Sequence, residues 1–156
     1  MSSPYTVKVS IFQTNPNGPL FQIAEKAVWY FGSGGEWSES NTAPTLTMPD
    51  TDTAGMLRFI PDATPSSNRE IFVVAVGIHN SKHWVDIVTN IKNTETTPLT
   101  LSQYYRDTGN TQEDRVNARE AQRDSWEAVN NKGRKISAKF TTAAASKDQE
   151  LIVVVG

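Results

Sequence analysis

The segment Gly77-Ile-His-Asn-Ser-Lys-His-Trp-Val-Asp-Ile-Val-Thr-Asn90 gathers two His, an Asp, a Thr, two Asn and a Trp between apolar neighbours. Such side chains can move protons, hold a metal, or donate and accept hydrogen bonds to a polar ligand. Nucleophilic catalysis is poorly supported. The chain has no Cys and no Gly-x-Ser-x-Gly elbow. His79 and His83 lie near Asp86, but spacing alone does not make a Ser-His-Asp relay. A metal site fares no better. His79-x-x-x-His83 shares a face only on a helix, and this segment reads as strand and loop. Asp50-x-Asp52-x-Ala54-Gly55 opens like a calcium loop. It fails at Ala54, and Pro61 stands where the closing Glu belongs. Asp52, Asp86 and Glu127 are the acids that glycosidase chemistry would recruit, but the separation that chemistry needs is not a sequence property.

The elements that must position these residues are mostly strands. Tyr5, Val7, Val9 and Ile11 alternate with polar neighbours, the period of a half-buried strand. Asn15 to Pro19 is a turn cluster. Residues 20–31 resume β character, and Gly32-Ser-Gly-Gly35 then allows a sharp turn and a close backbone approach. Thr45 to Met48 and Met56 to Ile60 read as short strands around the loop Pro49 to Gly55. Ile71 to Ile78 is nearly all apolar and β-branched, as in a strand covered on both faces. Residues 98–105 read as a short helix. A second helix is expected from Thr111, with a hydroxyl cap and an acid three residues on. Its stripe is Val116, Ala118, Ala121, Trp126 and Val129, and Asn130 to Gly133 closes it. Strands over 135–142 and 150–155 finish the chain. The expectation is a mainly β fold, an antiparallel β-sandwich with a short helical segment around residues 98–131, forming one domain over 1–156.

Composition removes several classes of function. The 156 residues carry a formal charge of -2, which offers no general attraction to nucleic acid or anionic membranes. Arg115, Arg119 and Arg123 recur every four residues on the expected helix. Acids surround them, so they read as a solvated face with i,i+4 ion pairs. Without Cys there are no disulfides or thiolate metal sites. The N-terminus has no apolar leader and no segment reaches the length of a membrane span, so a cytoplasmic protein without cofactor is expected.

Sugar binding uses the unusual residues together. Carbohydrate hydroxyls suit Asn, Asp, Thr, Ser and His. Their C–H faces pack on aromatic rings, and glycine lets backbone amides come close. Gly32 to Gly35, Thr51-Asp52 and His79-Asn80 supply these groups. Each also has a structural reading: His79 as a hydrogen-bonded core histidine, Trp84 and Trp126 as core aromatics. The residues alone leave a sugar-binding surface and a purely structural sandwich both open.

Five further stretches carry a resemblance. These are Phe12-Gln-Thr-Asn-Pro-Asn17, Val28-Trp-x-x-x-x-Gly-Gly-x-Trp37, Leu46-Thr-Met…Gly55-x-Leu-Arg-Phe59, Gln103-Tyr-Tyr105 and Asn131-Lys-Gly-Arg134. With the Gly77–Asn90 segment they resemble, in order, the fungal fruit-body lectin family. The resemblance implies an actinoporin-like β-sandwich, a homotetramer, glycans as partners and no metal. It implies two sugar sites per subunit, one for Galβ1-3GalNAc through its GalNAc unit and one for terminal GlcNAc. The first falls on Gly32, Thr51, Asp52, His79 and Asn80, with Asp52 where the family has Gly. The second falls on Asp86, Ile87, Thr89, Arg115 and Trp126, with Trp126 where the family has Tyr. The alternative of a different class is a membrane-active protein of the related toxin fold. It needs an insertable N-terminal helix, and the strand-like N-terminus argues against it.

Overall fold

The computed structural model describes residues 3–29, 35–38, 43–62, 70–106 and 108–156. It consists of β1 (Tyr5–Gln13), β2 (Phe21–Trp29), β3 (Glu36–Ser38), β4 (Thr45–Met48), β5 (Ala54–Pro61), β6 (Phe72–His79) and β7 (Lys82–Val88), followed by α1 (Thr97–Ser102), α2 (Glu113–Glu120), β8 (Ser125–Val129), β9 (Lys135–Phe140) and β10 (Asp148–Val155). Two sheets form, one ordered β3-β4-β1-β10-β9-β8 and the other β2-β5-β6-β7. The pairing is antiparallel except between β1 and β10, which run parallel with Val9 opposite Leu151 and Ile11 opposite Val153.

The alternation in β1 does what its period requires. Val7 and Val9 point inward with Leu46, Leu151 and Val153, against Leu57, Phe59, Val74, Val76 and Val85 of the facing sheet. The unbroken apolar run of β6 is explained by a second core. Val73 and Ala75 join Met56, Trp84, Leu101, Tyr104 and Ala118 on the outer face of the four-stranded sheet, beneath α1 and α2. Both faces of β6 are therefore buried. Burying side chains such as Phe59 and Trp84 contributes roughly 1.5–3 kcal/mol each. A register shift between Ile23 and Glu25 in β2 re-aims Glu25. Its carboxylate accepts the Thr97 N–H at 2.6 Å, at the positive end of α1.

The expected second helix is corrected. It ends at Glu120, and Trp126 and Val129 lie on β8 rather than on a helical stripe. Gln122 leaves the helix with φ +50°. Trp and Val favour extended backbone, and pairing of Trp126 with Ala138 satisfies the free edge of β9. The expected hydroxyl cap is also absent. Thr111 Oγ1 donates to the Tyr105 carbonyl, and the N-cap is Gln112. Asn130 to Gly133 is the β8–β9 turn, not a helix end. Asn130 Oδ1 accepts from the Lys132 and Arg134 amides.

Arg134 fastens this turn to the start of β6. Its Nε donates to Glu70 Oε1 at 2.8 Å and its Nη1 to the Gly156 carbonyl at 2.6 Å, while Asn130 donates to the same Glu70 oxygen. Burial pushes the Glu70 carboxyl up. The Arg134 and Asn130 hydrogen bonds and the Arg134 and Lys132 charges outweigh it and hold the group below its ordinary value. A depressed carboxylate adds stability above its unfolded pKa and loses it as pH falls through the folded one. Glu70→Gln is therefore expected to cost about 2–3 kcal/mol at pH 7. The gap to the parent should close in acid. Urea unfolding at pH 7 and pH 3 checks this, and a gap of equal size at both would contradict it.

Candidate functional site

The loop between β4 and β5 carries Thr51 and Asp52, and it is locked onto the β6–β7 hairpin. Asn80 and Ser81 form the hairpin tip with φ +48° and +66°, the left-handed pair of a type I′ turn. Ser is not a natural occupant of that conformation, and two contacts from the loop offset the cost. Ser81 N–H donates to Thr51 Oγ1 at 2.9 Å, and Asn80 N–H donates to Asp52 Oδ1 at 3.3 Å. Asp52 itself has φ +63°. A left-handed backbone there suits Gly and is tolerated by Asp, whose side chain adds a carboxylate to the loop. Gly77 explains how close loop and hairpin sit. A Cβ on it would lie 2.6 Å from the Thr53 carbonyl oxygen and 2.7 Å from Trp84 Nε1.

An open depression of about 550 Å³ results, lined by Asp50, Thr51, Asp52, His79, Asn80, Trp29, Tyr105 and Arg119 among others. Four of the five residues expected for the GalNAc-type site, Thr51, Asp52, His79 and Asn80, thus converge. Gly32 lies outside the described residues. Trp29 and Tyr105 stack at 5.0 Å as an aromatic wall. Burial pushes the Tyr105 hydroxyl well up, and its oxygen is buried without a hydrogen-bond partner.

Arg119 was not expected here. Instead of a solvated face, α2 turns this side chain inward, and the residue is 9% exposed. Its Nε donates to the Tyr104 carbonyl at 2.9 Å, its Nη1 to His79 Nδ1 at 2.8 Å, and its guanidinium lies 4.6 Å from the Tyr105 ring centre. A guanidinium has no lone pair to offer. His79 Nδ1 is therefore the acceptor, and the ring proton sits on Nε2. Nε2 lies 3.3 Å from Asn80 Nδ2; both are donors in this tautomer, so the two bond only with the amide turned to face its oxygen to the ring. Asp52 Oδ1, 3.3 Å from the same Nδ1, is then a neighbour through Arg119's positive field rather than an ion-pair partner of the ring. Gln122 closes the arrangement by donating to the His79 carbonyl. The site offers fixed donors and acceptors and, among the described residues, no group of three or more potential metal ligands.

The second set of expected residues lies on the other side of α2, where β7 runs beside β8. Asp86 and Trp84 share the outer face of β7. Asp86 is buried and accepts from the Tyr104 hydroxyl at 2.7 Å. Burial pushes its carboxyl above the ordinary value, against the opposing effects of Tyr104, the Ile87 amide, Arg115 and Arg123. Ile87 points into the sandwich core, so only its backbone can meet a ligand. Thr89 is half-buried just beyond β7. Arg115 is held by Gln103 at 3.3 Å. Trp126 is 37% exposed, which corrects its reading as a core residue, whereas Trp84 is fully buried as expected. Arg123, also missed as a site residue, lies 3.7 Å over the Trp126 ring and 3.6 Å from Asp86 Oδ1. The one available signal was the i,i+4 repeat of the three arginines. It marked a shared helix face for Arg115 and Arg119, gave no sign that this face points inward, and did not show that Arg123 falls beyond the helix.

His83, the other histidine of the segment, belongs to neither set. It is buried, stacks on Phe140 at 3.8 Å, and contacts Gln149 Oε1 at 2.9 Å and Asp124 Oδ1 at 2.6 Å. It anchors the loop that carries Arg123 into β8.

The sequence profile described as fungal fruit body lectin matches residues 2–154. The Boletus edulis lectin is 43% identical over 101 residues, which is 65% of this chain and 67% of that protein. The wild-type Xerocomus chrysenteron lectin crystal structure superposes with a TM-score of 0.85 at 36% identity, covering 98% of this chain and 99% of its own. A mutated form of that lectin gives the same TM-score at 37% identity.

Proposed function

The chain belongs to the fungal fruit body lectin family and is a carbohydrate-binding lectin rather than an enzyme, and on that premise we propose that each subunit carries two separate sugar sites. The first takes terminal GalNAc, as in Galβ1-3GalNAc, through Thr51, Asp52, His79 and Asn80, with Gly32 as a backbone contributor. The second takes terminal GlcNAc through Asp86, the Ile87 backbone, Thr89, Arg115 and Trp126. The observation that carries the reading is the convergence of Asp52, His79, Asn80 and Arg119 beside the Trp29–Tyr105 wall. It combines hydroxyl-matching polar groups with an apolar face in one open depression.

A shallow monosaccharide site binds weakly. Useful strength comes from several sites on one assembly engaging a glycan-coated surface, so a homotetramer is part of the proposal. A cytoplasmic agglutinin that defends against grazing animals is the role such a protein would fill. The membrane-active alternative is disfavoured by β1, whose partners β4 and β10 hold it inside the six-stranded sheet. Freeing the N-terminus would unzip both ladders.

Glycan-array binding of the parent protein and of His79→Ala tests the proposal. The parent should label both GalNAc- or T-disaccharide-terminated and GlcNAc-terminated glycans. His79→Ala should lose the first group by at least about tenfold, one or more charge-assisted or neutral hydrogen bonds being removed, and keep the second. A parent array blank for both groups would overturn the reading.

A further inference from the structure

We propose that Arg123 sets the affinity of the GlcNAc-type site by occupying the sugar's place when the site is empty. The inference rests on the second site proposed above. That site has two features a pyranose ring would use, the face of Trp126 and the carboxylate of Asp86. One guanidinium covers both, 3.7 Å over the indole and with Nη1 3.6 Å from Asp86 Oδ1. The other Asp86 oxygen is already taken by the Tyr104 hydroxyl, so Oδ1 is the oxygen left for a ligand, and Arg123 stands at it.

The position of Arg123 makes the arrangement displaceable. It lies three residues past the end of α2 at Glu120, on the short link into β8, and its side chain is 29% exposed. Arg119 is pinned by two hydrogen bonds in the interior and Arg115 by Gln103. Arg123 makes one long ion pair and one stack. A 3.6 Å ion pair from a part-exposed guanidinium and one cation–π contact form a weak hold that a well-matched ligand can replace. A ligand that must displace both binds more weakly by the fraction of time the site stands open. On that basis Arg123 lowers GlcNAc affinity roughly tenfold. Arg123 thereby acts as a selectivity element. Only a ligand that both stacks on Trp126 and replaces the charge contact at Asp86 recovers what it removes.

Isothermal titration of the intact protein with N-acetylglucosamine and, separately, N-acetylgalactosamine tests this on the parent, Arg123→Leu and Arg123→Gln. Both variants should bind N-acetylglucosamine about tenfold tighter than the parent. N-acetylgalactosamine binding should be unchanged in both, which also reports that the variants are folded. Raising the salt concentration should tighten N-acetylglucosamine binding by the parent, because screening weakens the Arg123–Asp86 pair. It should not do so in the variants. Parent-like or weaker N-acetylglucosamine binding by both variants, with the parent binding normally, overturns the role of Arg123 and leaves the GlcNAc site standing. A parent and variants all silent to N-acetylglucosamine remove the site and this inference together.

Discussion

Arg119→Met is expected to abolish GalNAc-type binding and to lower stability by about 3 kcal/mol. The change removes two hydrogen bonds at once, to the Tyr104 carbonyl and to His79 Nδ1, and the guanidinium that lies over Tyr105. Met fills much of the volume, so the cavity term is small. What remains is a buried carbonyl without its donor, costing about 1–3 kcal/mol, and a partly exposed imidazole nitrogen that has lost one. For a chain of this size, about 3 kcal/mol corresponds to a melting temperature about 9 °C lower. The loss of function has a different origin. Arg119 fixes the His79 tautomer and offsets the repulsion between Asp52 and Nδ1. Without it the ring can turn, and the donor–acceptor pattern presented to the sugar is lost. Binding of N-acetylgalactosamine should fall by about 30- to 150-fold, two aligned hydrogen bonds at about 1–1.5 kcal/mol apiece. N-acetylglucosamine binding should stay within a few-fold of the parent. Calorimetry with both sugars decides the matter. Parent-like N-acetylgalactosamine affinity in Arg119→Met would show that the arginine is only structural. Arg119→Lys should not rescue, because an ammonium cannot serve both acceptors from one fork.

Arg119 also marks where the sequence stops being legible. The sandwich is readable because burial has a period: Val7 and Val9 in β1, and the two-sided run of β6, can pack in only one way. Thr51, Asp52, His79 and Asn80 are legible as one set only through the family resemblance, since taken alone each of them also has a structural reading. The arginines of α2 are not. Spacing of four places Arg115 and Arg119 on one helix face, but nothing local says whether that face meets water or a sheet. Acids at 113, 114 and 120 favoured water. The structure instead supplies interior acceptors, the Tyr104 carbonyl, His79 Nδ1 and Asp86, from segments 15 to 40 residues away. Trp126 was misplaced for a related reason. Its helical spacing from Val116 and Ala118 is real, but the strand is decided by the unpaired edge of β9, which no window around Trp126 contains. β3 escaped notice because it has only three residues. Its identity depends on pairing with β4 and on Trp37 donating to the Ala27 carbonyl.

Asp86→Asn should separate binding from stability in opposite directions. The carboxylate is buried against Tyr104 and its pKa is raised, chiefly by desolvation. For an acid whose folded pKa lies above its unfolded one, stability is complete below the unfolded pKa and is lost as pH rises through the folded value. At pH 7 the ionised Asp86 therefore works against the fold, an arrangement common at functional sites. An asparagine keeps the shape and can still accept from the Tyr104 hydroxyl, without a charge to desolvate. The variant should melt higher than the parent at pH 7, and the two should converge as pH falls below the ordinary aspartate range. Its sugar binding should move the other way. Hydrogen bonds from sugar hydroxyls to a carboxylate are worth about 1.5–3 kcal/mol, so N-acetylglucosamine affinity should drop roughly 10- to 150-fold while N-acetylgalactosamine affinity holds. The substitution also loosens Arg123 from its anchor, which by itself would tighten binding. A net loss therefore shows that the carboxylate, and not merely an open Trp126 face, holds the sugar. Thermal melts across pH 3 to 7 and titrations with both sugars supply the measurements. A variant less stable than the parent at pH 7 would mean that the charges of Arg115 and Arg123 outweigh the burial of Asp86. Undiminished N-acetylglucosamine binding would remove Asp86 from the site.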